Sequence, residues 1–280
     1  MRKFAPTGGR VTWGRRTFRW VIFVVVGGYL LLPLLAMLEF STRGAGWSRS
    51  LAAWRNLFSN PFLWHAILLS LELAALTVGG MLLLLAPTMV WVQLRVPKMR
   101  RIVEFISLLP LTIPAIVIVV GLAKVYKDLG PIIGTSPLVL AFIYIVLVLP
   151  YAYRAIDASL RAIDVETLAE AARGLGASWP QVFFRVVAPN IRQGLLSAAV
   201  LSIALVLGEF TISSLLAYDT LQVIVNEIGL TNAAVSVAVS LAALIFGIIL
   251  LFVVSSIGSR KRHEKKVKPT AVPAEGGAKP

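Results

Sequence analysis

Asp164–Pro189, DVETLAEAARGLGASWPQVFFRVVAP, is a polar, amphipathic stretch in a chain that is otherwise mostly apolar. Asp164 stands at an N-cap position. After it, Val165, Leu168, Ala169 and Ala172 fall at i, i+3, i+4 and i+7, a narrow apolar stripe on one face of a short helix. Glu166, Glu170 and Arg173 lie off that stripe. Gly174 and Gly176 can supply the left-handed residue that ends a helix. Ser178 then opens a second helix, with Gln181 at the capping-box position and Pro180 in the first turn. Trp179, Val182, Phe183, Val186 and Val187 make its apolar face, and Pro189 closes the unit. The stretch predicts two short helices standing outside any apolar core.

Around this island the chain reads as membrane protein. Of 280 residues, 58% are hydrophobic and only 14% charged, with a mean hydropathy of +0.84. A soluble domain of this length carries about a quarter charged residues. The net charge of +14 could suggest a nucleic-acid partner, but the basic residues sit in clusters between apolar runs, which excludes that class. With no cysteine, disulfides, thiolate chemistry and cysteine-ligated metals are excluded.

Six apolar runs are long enough to cross ~30 Å of hydrocarbon. They cover 20–38, about 66–94, 105–123, 137–154, 194–217 and 235–257. The third contains Pro110 and Pro114, and the fifth contains Glu209. Arg15-Arg16 before the first run resembles a twin-arginine export signal. The 19 uncharged residues Trp20–Leu38, with no small-x-small cleavage site before Ser41, favour a first transmembrane helix instead.

The division is a basic segment 1–19, a transmembrane domain 20–258 with the island as its loop 157–192, and a basic disordered tail 259–280. With a cytoplasmic N-terminus, the inner segments hold 22 of the 27 Lys and Arg residues, so the positive-inside rule puts both termini and the loop in the cytoplasm. The basic tail would also meet anionic lipid head groups.

The loop carries a resemblance. Glu170-Ala171-Ala172, Gly176 six residues after the Glu, and Pro189 nineteen after it, between the fourth and fifth of six spans, resemble the EAA loop of permease subunits of binding-protein-dependent ABC importers. Val186 stands where that family usually has Ile, and Ala188 where it usually has Leu. The likeness covers roughly residues 60–258, including the Pro-rich third span and the stretch LVLGEFTISSLL. Similar chains serve polyamines, ferric iron, thiamine and aminoethylphosphonate. The resemblance implies an all-α, six-helix permease in a bacterial inner membrane. It also implies an ABC ATPase dimer docked on the loop, a second permease chain or copy, and a solute-binding protein. Leu168, Glu170, Ala171, Ala172, Gly176, Trp179, Phe183 and Pro189 would then make the coupling element, with Leu168, Leu175, Trp179 and Phe183 as candidate anchors. No Gly-Lys dipeptide occurs, so the chain has no phosphate-binding P-loop, and no cofactor is expected.

Two acids lie within apolar spans. Glu209 falls ~22 Å along the fifth span and Glu72 ~10 Å below the outer surface, at similar depth. A charge costs ~2.5–3.5 kcal/mol even at a permissive helix centre, so neither should face lipid. Each is either a buried, hydrogen-bonded structural acid or part of the path of a cation such as a polyamine. His65 and His263 read as interfacial rather than metal ligands, and no catalytic set is present. The competing class is an ion-coupled secondary transporter or channel without an ATPase, which would not need the Glu-Ala-Ala spacing.

Overall fold

The computed structural model describes residues 13–44, 48–122, 128 and 136–259. The expected basic tail beyond Ser259, His263 and most of the first nineteen residues lie outside them. Among the described residues there is no β-strand, only an isolated antiparallel bridge between Arg43 and Arg49. The fold is all-α.

Among the described residues, four helices are long and apolar enough to cross a membrane by themselves: Thr17–Ser41, Pro61–Arg95, Pro137–Leu160 and Ala233–Ser256. They belong to α1 (Trp13–Ser41), α3 (Pro61–Arg95), α6 (Leu140–Leu160, entered through a tight turn at Pro137–Val139) and α13 (Ala233–Ser259). Two bent pairs bring the number up to six if each pair is taken as one span. Pro97–Thr112 meets Ala115–Leu122 at 98°, and Trp179–Asn190 meets Arg192–Leu207 at 77°.

The third expected span is therefore two pieces, α4 (Arg100–Leu108) and α5 (Ala115–Leu122). The break is a proline effect. Pro110 sits in a tight turn over Leu109–Thr112, and Ile113, the residue before Pro114, is extended at φ −102°, ψ 118°. Proline clashes with a helical residue ahead of it and pushes it into the extended region.

The fifth expected span, 194–217, is also interrupted. α10 runs Arg192–Leu207 and stops at Gly208, and α11 (Thr211–Leu215) follows after Glu209 and Phe210. Sixteen residues rise only about 24 Å, short of the hydrocarbon thickness. The connections at the end of the bundle away from the loop are helical too. α2 (Ala52–Ser59) and α12 (Leu221–Thr231) lie against α3 and α13 around a small core of Leu57, Leu63, Ala66, Ile224, Val225 and Ala238.

The main core sits between α3, α6 and α10, with Met81, Leu140, Tyr144, Val148, Ala152, Ile156 and Ala198 essentially inaccessible. α6 and α10 cross closely at Gly194, where a Cβ would collide with the Ser159 side chain and come within 2.9 Å of the Ala155 carbonyl. That crossing brings together the two helices that carry the loop. α1 stands outside, packed on α13, with its apolar window unburied.

Candidate functional site

The loop leaves α6 at Leu160 and returns to α10 at Arg192. Its first helix, α7, is Val165–Gly174. Asp164 caps it: Oδ1 accepts from the Thr167 N–H at 3.1 Å and Oδ2 from the Thr167 hydroxyl at 2.7 Å. These bonds hold the Asp164 carboxyl below its usual value, the hydroxyl contributing most. The C-terminus is a Schellman motif, with Ala177 N–H donating to Ala172 O and Gly176 N–H to Arg173 O. Of the two candidate glycines, Gly176 is the left-handed one, at φ +85°, and Gly174 is the last helical residue. A Cβ at Gly176 meets nothing within 4 Å, so its requirement is conformational.

The second helix starts with the expected capping box. Ser178 N–H donates to Gln181 Oε1 at 2.7 Å, and Pro180 sits in the first turn of α8 (Trp179–Gln181). The chain then widens into a π-helical turn over Val182–Val187 before α9 (Ala188–Asn190). This wider turn buries Val182 and Val187 and leaves Phe183 half-buried, edge-on to an exposed Phe184 at 4.9 Å between ring centroids. Pro189 lies just before the 77° bend into α10.

The loop thus has two faces. Val165 and Ala169 are buried, and Ala172, Trp179 and Phe183 pack on the main core. Leu168 is half-buried. Glu170 and Ala171 are exposed, and so are the two largest outward apolar groups, Leu175 at 90% and Phe184 at 65%. Phe184 falls off the 3.6-residue stripe of the sequence, and a large apolar residue off the stripe is the one signal that marks it.

Four arginines tie the loop end of the bundle together, and of their contacts only the Arg161–Asp157 pair, at i,i+4, has a spacing that sequence reveals. The Arg95 guanidinium carbon lies 4.4 Å from the centroid of the Trp179 ring, and that of Arg173 lies 5.3 Å from it. Arg100 pairs with Asp157 at 2.8 Å, and Arg161 reaches the other oxygen of the same carboxylate at 2.7 Å.

Glu209 is not part of a continuous helix. Its carboxylate accepts from the Ile212 N–H (2.6 Å), the Ser213 N–H and hydroxyl (3.2 Å each) and the Tyr144 hydroxyl (2.9 Å). It satisfies the first free N–H groups of α11 as a cap would. The polar line continues from Thr220 to Ser213, and from the Leu221 N–H to Ser70 of α3. Gln222 donates to Leu207 O, at the end of α10. Glu72 lies two residues beyond Ser70 on α3, exposed on a strip with Leu68 and Leu76. The two acids have separate surroundings. Among the described residues no cluster of three or more His, Asp or Glu could hold a metal ion.

The chain resembles known transport proteins over most of its length. It is 30% identical over 156 residues to the molybdenum transport system permease protein of Azotobacter vinelandii, covering 52% of this chain and 69% of that one. It is 28% identical over 269 residues to the sulfate transport system permease protein of Synechococcus elongatus, covering 89% and 92%. With the spermidine/putrescine transport system permease protein of Haemophilus influenzae it shares 25% over 218 residues, 71% and 74% of the two chains. A chain of the bacterial alginate ABC transporter, crystallised in complex with a pentasaccharide-bound periplasmic protein, superposes with a TM-score of 0.60. That likeness spans 89% of this chain and 96% of the other at 21% identity, so it speaks to fold. The family of binding-protein-dependent transport system inner membrane components matches residues 84–267, which include the loop, the α6–α10 crossing and the Glu209 break. The chain is a multi-pass membrane protein that belongs to this family of ABC importer permease subunits.

Proposed function

We propose that this chain is half of the pore of an ATP-driven importer, and that the loop between α6 and α10 docks on an ABC ATPase dimer. The observation that carries this reading is the division of the loop into two faces. One face is committed to the chain's own core through Val165, Ala169, Trp179 and Phe183. The other leaves Leu175 at 90% exposure and Phe184 at 65%, the Phe184 ring edge-on to its neighbour Phe183, beside the exposed Glu170. Burying such a side chain is worth ~1.5–3 kcal/mol, enough for two anchors to hold a groove through a power stroke. Trp179 and Phe183 then fasten the loop to the body, and Leu175 and Phe184 enter the ATPase. Movement of the loop rocks α6 and α10 together, because Gly194 keeps them in close contact, and switches the pore between outward and inward access.

A solute-binding protein delivers the substrate, as the family description and the periplasmic partner of the alginate transporter support. A second permease chain faces α3. Glu72 lies exposed on an apolar strip, and a carboxylate on lipid costs ~2.5–3.5 kcal/mol, so another chain or a wet pathway covers it. Both termini and the loop are cytoplasmic, and a reporter fused after Trp179 should read cytoplasmic.

The substrate is a small solute. The relatives are named for molybdenum, sulfate and spermidine/putrescine, so they do not select a charge. A polyamine reading now rests on Glu72, because Glu209 is engaged by donors of its own chain.

The test is purification of the tagged chain from its host membrane. An ATP-hydrolysing subunit should come with it, and Leu175→Glu with Phe184→Glu should lose that subunit while the chain stays in the membrane. Retention of the ATPase by the double variant would overturn the docking assignment. Absence of any ATPase from the unmutated chain would favour an ion-coupled transporter.

A further inference from the structure

The cations and indoles at the loop end form an alternating series. Trp91 and Arg95 stand one turn apart on α3, with the Arg95 guanidinium 6.0 Å from the Trp91 ring centroid. The same guanidinium lies 4.4 Å from the Trp179 ring of the loop, and Arg173, on α7, lies 5.3 Å from that ring. Arg173 also donates to the Ala177 carbonyl at 2.7 Å, which ties it to the Schellman turn at Gly176. The series therefore runs Trp91, Arg95, Trp179, Arg173, from a membrane-spanning helix into the loop. Arg95 and Arg173 are exposed, so solvent screens their mutual repulsion, whereas Trp179 is half-buried against the main core.

The connection after Arg95 is pinned at its other end as well. Pro97–Met99 form a tight turn, and Arg100, the first residue of α4, pairs with Asp157 of α6. The six residues from Arg95 to Arg100 thus hold one contact to the loop and one to the helix from which the loop departs.

We propose that this ladder is a transmission joint: Arg95 and Trp179 are positioning residues that make the α3–α4 turn and the coupling loop move as one body. The proposal rests on the loop being the ATPase-docking element. Without the joint, α3 would follow the loop only indirectly, through its packing on α6 and α10 in the main core. With it, α3 receives the same displacement directly, at the end nearest the ATPase. Guanidinium over indole suits such a joint, since the attraction tolerates sliding of the planes better than a hydrogen bond tolerates bending.

The chain has no cysteine, so a pair can be introduced for spin labelling without removing any. Lys98 in the turn and Arg185 in the loop are both exposed. Lys98→Cys and Arg185→Cys, labelled in the complex purified with its ATPase, report the distance across the ladder with and without bound ATP. The expected result is one narrow distance in both nucleotide states. Arg95→Gln and Trp179→Leu should broaden it and make it depend on nucleotide, and in Arg95→Gln ATP hydrolysis should stay near its unmutated rate. Arg95→Lys and Trp179→Phe should restore much of the narrow distribution. Coupled uptake in the Gln and Leu variants should fall about tenfold, within the usual range of coupling between sites.

A nucleotide-dependent distance in the unmutated complex would overturn the proposal. So would a narrow, unchanged distance in both Arg95→Gln and Trp179→Leu. If no ATPase accompanies the unmutated chain, the docking reading fails, and that outcome is recognised before any label is attached.

Discussion

The Tyr144 hydroxyl donates to Glu209 Oε2 at 2.9 Å, joining the first turns of α6 to the break that ends α10. Tyr144 is 1% exposed and Glu209 half-buried, so the bond lies at the edge of the main core. Glu209 is thereby the acceptor around which an interrupted spanning helix is organised, with Ile212, Ser213 and Tyr144 as donors.

The first prediction follows from that role. Glu209→Ala leaves the Ile212 and Ser213 N–H groups and the Tyr144 hydroxyl without their acceptor, at ~1–3 kcal/mol for each group that stays unsatisfied. Its thermal unfolding midpoint in detergent should drop, and less intact complex should be recovered. Glu209→Gln keeps an acceptor oxygen and should assemble and transport almost normally. Lost uptake in a stably assembled Gln variant would return the carboxylate charge to the substrate path.

The coupling loop supports a second prediction, centred on Gly176. Its φ of +85° is closed to proline, which is locked near −65°, so Gly176→Pro must unwind the Schellman turn. The turn sets the angle between α7 and α8 and the position of Leu175. Gly176→Pro, and Glu170→Lys on the exposed face, should leave the chain in the membrane while uptake and ATPase co-purification fall. Normal uptake by both variants at normal expression would remove the loop from the coupling mechanism.

Ala217 carries the third. It sits just after α11 at φ 55°, the only non-glycine residue with a positive φ among the described residues. The left-handed conformation costs an alanine roughly 1–2 kcal/mol, and glycine adopts it without that cost. The bonds from Ala217 N–H to Ser214 O and from Tyr218 N–H to Ser213 O hold it there. Ala217→Gly should therefore raise the unfolding midpoint, and Ala217→Val should lower it. An unchanged midpoint for both would mean that the segment around α11 relaxes without strain.

Some of these features were written in local sequence and some were not. Composition and the length of apolar runs sufficed for an all-α membrane protein, because crossing hydrocarbon demands an apolar helix of about 20 residues whatever its neighbours are. The two loop helices, the Asp164 cap, the Ser178–Gln181 box and the glycine stop were equally local, since caps and turns are satisfied within a few residues. The spacing from Glu170 to Gly176 and Pro189 carried the family for the same reason.

Tertiary structure decided what depends on partners far along the chain. The fifth span read as continuous because Glu209 has apolar neighbours in sequence, yet Tyr144, 65 residues away, helps to hold its carboxylate at a helix break. The third span read as one helix because hydropathy does not register the bend at Pro110 and Pro114. Trp179 looked like a free anchor until Arg95, from a different helix, occupied its ring, whereas Phe184 became the outward group only through the π-helical turn at Val182–Val187. Apolar length and capping are properties of neighbouring residues, so the sequence determined them. Which face of a helix stays open depends on what the rest of the chain covers, and packing alone decides that.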